Sequence, residues 1–161
     1  MKEKEEPKQS DDLNWSDDQN LCWDELVREW NALAEEGDAK EQCTVGCLCL
    51  EDEGWTEKDV RKGFRWLGKA AKQGYLQAQY VLGNVYSYDK GMLRRRNLIS
   101  AYAWYSIART NDDTDDKSNE KFHDNIARKM TPAQIKKAEA MVKELTQNNP
   151  KLIQKKQGSH P

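Results

Sequence analysis

"KQGYLQAQYVLGNVYSYDKG", residues 72–91, reads as an amphipathic helix interrupted by Gly83. A glycine inside an exposed helix costs about 1 kcal/mol relative to alanine. The glycine recurs in "GDAKEQCTVGCLCLEDEG", residues 37–54, where Gly46 stands in the same frame. A weak helix former placed twice at the same point of two similar helices calls for a reason in packing.

Sliding the chain against itself supplies the frame. Gly37 aligns with Gly74, Gln42 with Gln79, Val45-Gly46 with Leu82-Gly83 and Gly54 with Gly91, always 37 residues apart. Trp66 then aligns with Trp104 and Ala70 with Ala108, now 38 apart. The slip falls between Gly91 and Asn97, where "MLRRRN" is one residue longer than "WTEKD" in the preceding unit. A length change confined to a connection is what a loop tolerates.

Each unit reads as two helices, A over about 39–51 and B over about 59–73, then A over about 76–88 and B over about 97–109. Ala78, Leu82, Val85 and Tyr86 form one apolar stripe, and Ala101, Trp104, Tyr105 and Ala108 another. Both follow the spacing of a buried helical face. Gly74 follows "AAKQ" and suits a residue with positive φ just past a helix end. The mid-helix glycines remove a side chain where the partner helix crosses. Ala70 and Ala108 are the expected partners, with Trp66 and Trp104 covering the gap between units.

The pattern resembles the Sel-1-like repeat (SLR) family, relatives of the tetratricopeptide repeats. The second unit matches through Ala78, Leu82, Gly83, Tyr86, Gly91, Ala101, Trp104 and Ala108. The first matches through Gly46, Gly54, Asp59, Trp66, Ala70, Ala71 and Gly74. Glu41, Cys49, Gly63 and Asn97 depart from the family pattern. The resemblance implies an all-α fold, a short right-handed α-solenoid of antiparallel helix pairs with helical caps. It also implies an adaptor or scaffold, often in bacterial signalling or host contact. A disulfide-rich branch of the family links helices A and B. No cysteine falls on either helix B here, so the expectation is a reduced, cytoplasmic protein.

The expected layout is an acidic disordered tail at 1–19, a solenoid domain at 20–146 and a disordered tail at 147–161. Full repeats fall at about 37–73 and 74–109, with capping helices at about 21–36 and 116–146. In the first cap, "WDELVREWNALAEEG" places Leu26, Trp30, Leu33 and Ala34 on one side. In the last, Asp115 or Asp116 is expected to cap one helix. Thr131, Pro132 and Gln134 carry a capping-box start for another. That closing helix is expected to bury Ile135, Ala138, Met141, Val142 and Leu145.

The formal charge is −2, but it is split. Residues 1–53 hold 17 Asp+Glu against 5 Lys+Arg, a net −12, and the remainder is +10. Such asymmetry suits steered contacts or a solubilising acidic tail. "MKEKEEPKQS" has no apolar core of a secretory signal, and no apolar run is long enough to span a bilayer.

Four cysteines, at 22, 43, 47 and 49, lack the paired spacing of a zinc site, and His123 and His160 are distant in sequence. "NDDTDD" lacks the glycine and terminal glutamate of a calcium loop. No metal or other cofactor is expected. "KGMLRRR" is a basic knob better suited to protein contact than to nucleic acid. The groove face of helix A in the second unit carries Gln77, Tyr80, Asn84 and Ser87. The first unit carries Lys40, Cys43, Cys47 and Leu50 at the equivalent positions.

These considerations point to a non-enzymatic protein-interaction module. Its candidate contact residues are Gln77, Tyr80, Asn84, Ser87, Cys43, Cys47, Arg94, Arg95 and Arg96. The partner is another protein, an adaptor client or a basic toxin that this chain neutralises as an immunity protein. Membrane partners are not expected and nucleic acid is disfavoured, while self-association through exposed end helices stays open. The alternative is a thiol- or metal-dependent enzyme using Cys43, Cys47 and His123.

Overall fold

The computed structural model describes residues 32, 34–51, 57–87, 97–114 and 117–154. Among the described residues six α-helices follow one another: α1 (Ala39–Glu51), α2 (Glu57–Lys72), α3 (Leu76–Ser87), α4 (Leu98–Asn111), α5 (Ser118–Ala127) and α6 (Pro132–Asn148). A short 3₁₀ turn, Pro150–Leu152, closes the described chain. The described residues form no strand, and the architecture is a helical-repeat solenoid. Helices α1 and α2 are the A and B elements of the first unit, and α3 and α4 those of the second.

Cross-helix contacts fix the direction of each pair. In the first, Gln42 meets Gln73, Gly46 meets Leu67 and Cys49 meets Gly63. One number rises as the other falls, so the helices are antiparallel. In the second, Tyr80 meets Asp112, Asn84 meets Tyr105 and Tyr86 meets Asn97. The register is the same at an offset of 37 to 38 residues.

The glycines act at the crossings, though against other partners than expected. A Cβ on Gly46 would lie 2.6 Å from Leu67 Cγ and 3.0 Å from Leu67 N, and one on Gly83 would lie 2.8 Å from the ring of Tyr105. Ala70 and Ala108 are fully buried but are not the nearest atoms. The second unit thus meets its glycine with a ring where the first uses an isobutyl group. Gly63, a departure from the family pattern, is a further crossing point. Its Cβ would lie 2.9 Å from Cys49 Cβ and 3.0 Å from the carbonyl oxygen of Gly46.

Gly74 adopts φ +83. Tyr75 N–H donates to Ala70 O and Gly74 N–H to Ala71 O, satisfying the last carbonyls of α2. Gly37 repeats the left-handed geometry at φ +100 after the helical turn that holds Ala34.

Among the described residues three clusters form the core. Ala34, Val45, Cys49 and Trp66 form the first. Cys43, Leu67, Ala70, Ala71, Ala78, Leu82, Trp104, Ile107 and Leu152 form the central one. Ala101, Tyr102, Tyr105, Ile126, Met130 and Ala138 form the last. The tryptophans do bridge units: Trp66 packs with Ala34 of the preceding turn, and Trp104 with residues of α2.

Helix α6 starts with the expected capping box, Thr131 Oγ1 accepting from Gln134 N–H and Gln134 Oε1 from Thr131 N–H. Of its predicted stripe Ala138 is fully buried, and Ile135, Met141, Val142 and Leu145 are half-buried. Lys117 stands at the N-cap of α5 without a side-chain cap bond. Asp115 and Asp116 lie outside the described residues, as do residues 1–31 and Leu33.

Residues 147–154 depart from the expected disordered tail. Asn149 Nδ2 donates to Lys72 O, Leu152 is 1% exposed, and Gln154 Nε2 donates to Gln73 O. This strap lies across Gly74, where a Cβ would collide with the Gln154 side chain and come within 2.6 Å of Lys151 O. Two apolar residues, Leu152 and Ile153, flanked by amides were too short a pattern to separate a strap from a tail.

Candidate functional site

Helix α3 projects Gln77, Tyr80 and Asn84 into one open groove of about 530 Å³. Tyr75 and Leu76 at the start of α3, Asp112 and Thr114 after α4, and Phe122 of α5 complete its lining. The i, i+3, i+7 spacing keeps the three α3 side chains on one face. The opposite face, with Ala78 and Leu82, is buried.

Hydrogen bonds hold the polar groups in place. Tyr80 Oη donates to Asp112 Oδ2 at 2.8 Å. Asp112 Oδ1 accepts from Thr114 N–H at 3.0 Å and Thr114 Oγ1 at 2.7 Å. Tyr105 Oη donates to Asn84 Oδ1 at 2.6 Å, which orients the Asn84 amide. The wall is aromatic. Tyr105 stacks on Phe122 at 6.1 Å and 11°, and Tyr80 tilts against Tyr105 at 6.4 Å. Phe122 is 45% exposed, the one large exposed apolar side chain among the described residues.

The structure sorts the expected contact residues. Gln77, Tyr80 and Asn84 come together in the groove. Ser87 is one turn beyond the lining, its hydroxyl turned back to Asn84 O at 2.7 Å. Cys43 is not on a groove face: it is 3% exposed in the central cluster with Ala78 and Leu82 of α3. Cys47 is half-buried and packs against the same cluster. The neighbouring A helix covers in the first unit the face that stays open in the second. Arg94, Arg95 and Arg96 lie outside the described residues.

Sequence reasoning missed Tyr75, Asp112, Thr114 and Phe122. Asp112 and Thr114 belong to "NDDTDD", weighed above only against a calcium loop. Phe122 left a signal: a large apolar residue flanked by charged and polar ones on a helix with a sparse apolar stripe.

Among the described residues, the groups of the enzyme alternative do not share one cluster. Its cysteines belong to the central cluster, whereas His123 packs on Tyr102 at 4.4 Å. A hydrogen bond with Cys47, followed by burial, pushes the Cys43 thiol far above its ordinary range, away from the reactive thiolate. Among the described residues no group of three His, Cys, Asp or Glu side chains is placed to hold a metal.

His123 also lines up with Ser106, at 3.0 Å from Nε2, and Asp124, at 3.5 Å from Nδ1. This is not a nucleophile line. The single Ser106 hydroxyl proton goes to Tyr102 O at 2.8 Å. A His123 ring protonated at Nε2 donates to Ser106, the reverse of general-base activation. Burial first, then Arg109, lowers the His123 pKa, with Asp124 opposing. His123 is 5% exposed and packed.

A second arrangement recurs between the units. Gln42 Nε2 donates to Ala34 O, and Gln73 Nε2 donates to Gln42 Oε1 and Gly37 O. One repeat later, Gln79 Nε2 donates to Ala71 O, and Asn111 Nδ2 donates to Gln79 Oε1. Leu152 O accepts from both Gln79 and Asn111. Each pair satisfies a carbonyl at the end of the preceding helix B and so stitches neighbouring units together.

Comparison with known proteins agrees with this geometry. The Sel1 repeat pattern matches residues 42–75 and 76–113. The chain carries two Sel1 repeats. Its SLR architecture is similar to the crystal structure of c5321, a protective antigen present in uropathogenic Escherichia coli strains displaying an SLR fold. The TM-score is 0.66 with 27% identity, covering 84% of this chain and 29% of that one. A stretch of 57 residues is 40% identical to the chitin synthase regulator SKT5 of Saccharomyces cerevisiae. That match covers 35% of this chain and 8% of SKT5, so the chain spans only a small part of either relative. Two Sel1 repeats on an SLR fold support a protein–protein interaction module. No described helix is long and apolar enough to cross a membrane.

Proposed function

We propose that this SLR protein is a non-enzymatic interaction module that holds a segment of a partner protein in the groove of its second repeat. The observation that carries this reading is the convergence of Gln77, Tyr80 and Asn84 with the exposed Phe122 around one open groove. Tyrosine and other aromatics anchored in a pocket, rimmed by adaptable polar groups, dominate protein-binding energetics. The relatives support it: one is named as a regulator of another protein and one as an antigen.

The test is affinity capture from the native cell with the full chain and two variants. Tyr80→Ala with Asn84→Ala, and separately Phe122→Ala, should lose the captured protein while the helical circular-dichroism signal is kept. Retained capture by both would move the contact surface elsewhere, with Arg94–Arg96 the next candidates.

A finer version is an immunity protein in the cytoplasm of a bacterium, neutralising a basic toxin. The charge split favours it, because an acidic stretch at −12 attracts a cationic partner before contact. A toxin reading frame beside the gene, and inhibition of its product by this chain, would be the supporting result. An anionic captured partner would end this version and leave the interaction module standing.

A further inference from the structure

We propose that residues 149–154 occupy a peptide-binding site, and that an extended segment of another protein, with a leucine two residues before a glutamine, replaces them there. None of the residues that form this site lines the groove described above, so the inference goes beyond the interaction reading and does not rest on it.

The site is built from side-chain amides and helix-end carbonyls. Leu152 O accepts from Gln79 Nε2 at 3.0 Å and from Asn111 Nδ2 at 2.7 Å. Gln154 N–H donates to Asn111 Oδ1 at 2.8 Å. The Asn111 amide thus grips the carbonyl before Ile153 and the N–H after it, the two groups a neighbouring parallel strand would use. Ile153 between them is extended, at φ −102 and ψ 110. Main-chain bonds of this kind supply affinity for any extended segment, and side-chain pockets supply specificity. Leu152 fills such a pocket, 1% exposed within the central cluster. Gln154 Nε2 donates to Gln73 O and Asn149 Nδ2 to Lys72 O, both at 2.8 Å. Those carbonyls belong to the end of α2, where helical partners run out.

The two repeats show why a separate segment is needed here. In the first, Gln73 Nε2 donates to Gln42 Oε1 and to Gly37 O, a carbonyl of its own unit. Asn111 stands at the equivalent place, 38 residues on. It keeps the bond to the paired glutamine, Gln79. One methylene shorter, it gives its second proton to Leu152 O of the strap instead of to Gly74 O. Gly74 leaves room for the strap to cross, since a Cβ there would come within 2.6 Å of Lys151 O. The second repeat therefore presents a clamp that its own unit does not fill. Its occupant lies beyond α6, so lifting it away breaks no helix, and short segments of this kind open well below the cost of global unfolding.

The experiment uses the full chain with Leu152→Asp, which expels the strap because its pocket cannot hold a bare charge. Leu152→Ala is the milder second variant. The probe is a fluorescein-labelled peptide with the sequence of residues 149–154, NPKLIQ, followed by anisotropy. It should bind both variants at least about tenfold more tightly than the unmodified chain, where the tethered strap competes at high effective concentration. A probe with aspartate in place of its leucine should bind about thirtyfold more weakly. Asn111→Gln, which copies the first repeat, should weaken the NPKLIQ probe about tenfold in the Leu152→Asp chain. In the unmodified chain, the Gln154 amide should exchange its hydrogen at least about tenfold faster than the Leu82 amide of α3.

Equal binding to the unmodified chain and the variants overturns the proposal, because the probe then sits elsewhere. So does absence of binding to the folded variants, or binding indifferent to the probe's leucine or to Asn111→Gln. Hydrogen exchange decides the matter even where neither variant folds. Equal rates at Gln154 and Leu82 mean that the strap leaves only when the whole fold does, and no partner segment replaces it.

Discussion

In the first repeat, Gly46 and Gly63 bring α1 and α2 together backbone against backbone, and a Cβ on Gly63 would stand 3.0 Å from Gly46 O. In the second, Gly83 lies under the ring of Tyr105, and Ala101 occupies the position equivalent to Gly63. The first repeat fills its A-helix face with Cys43 and Cys47, packed under the next unit. The second carries Tyr80 and Asn84 at the same two positions, next to a groove. One register therefore serves two ends: a closed interface between units, and an open face with oriented hydroxyl and amide groups. The tyrosine ring that fills the second crossing also supports the groove wall, so packing and recognition share one residue.

The comparison is broken most severely at the crossings. Gly46→Leu and Gly83→Leu should each remove about 3 kcal/mol or more, since the added atoms meet buried groups that cannot retreat. A denaturant midpoint unchanged in either variant would refute close approach at that unit. Leu152→Ala comes next, at about 3 kcal/mol, because the strap buries this side chain fully against the second repeat. A near-neutral result would make the strap a passive tail.

The amide pairs sharpen the contrast. Gln42→Ala and Gln79→Ala should each cost about 0.5–1.5 kcal/mol by removing buried hydrogen bonds to carbonyls that each keep one other donor. Gln79 should cost more, since it serves Ala71 O and Leu152 O together. Equal losses would show that the strap adds nothing to the ladder.

Acidity acts through His123 of α5, which packs on Tyr102 and Ser106 of the second repeat. The His123 pKa is lowered in the folded state, so the unfolded chain binds the proton first, near its ordinary pKa of about 6.5. Stability should be full above that pH and fall as pH drops below it toward the folded pKa. His123→Gln should flatten this part of the pH profile, and an unchanged slope would assign it to other groups. The smallest effect belongs to Phe122→Ala, which should alter stability by no more than about 0.5 kcal/mol.

The repeat was readable because its marks are backbone requirements. Gly37 and Gly74 take positive φ, and Gly46 and Gly83 sit where a Cβ has no room. Thr131, Pro132 and Gln134 form a local motif that needs no tertiary context, and its structure agrees with the reading. What crosses the glycine was not readable. Leu67, Ala70 and Ala71 all face inward, and periodicity cannot say which stands opposite. The recurrence of Gln42 and Gln79 was visible, but its meaning required the neighbouring carbonyls in space. The groove was half legible. Helical spacing gathers Gln77, Tyr80 and Asn84, whereas Asp112 and Phe122 arrive from other elements through tertiary packing. The same spacing misplaced Cys43, because curvature decides which A-helix face the next unit covers.

The most direct measurement sets the two repeats against each other in one capture assay, with Asn84→Ala and Phe122→Ala beside Cys47→Ala, each checked for an unchanged melting temperature. The account predicts that the second-repeat variants lose the bound protein and the first-repeat variant keeps it. Loss confined to Cys47→Ala, with capture intact in the other two, would contradict it.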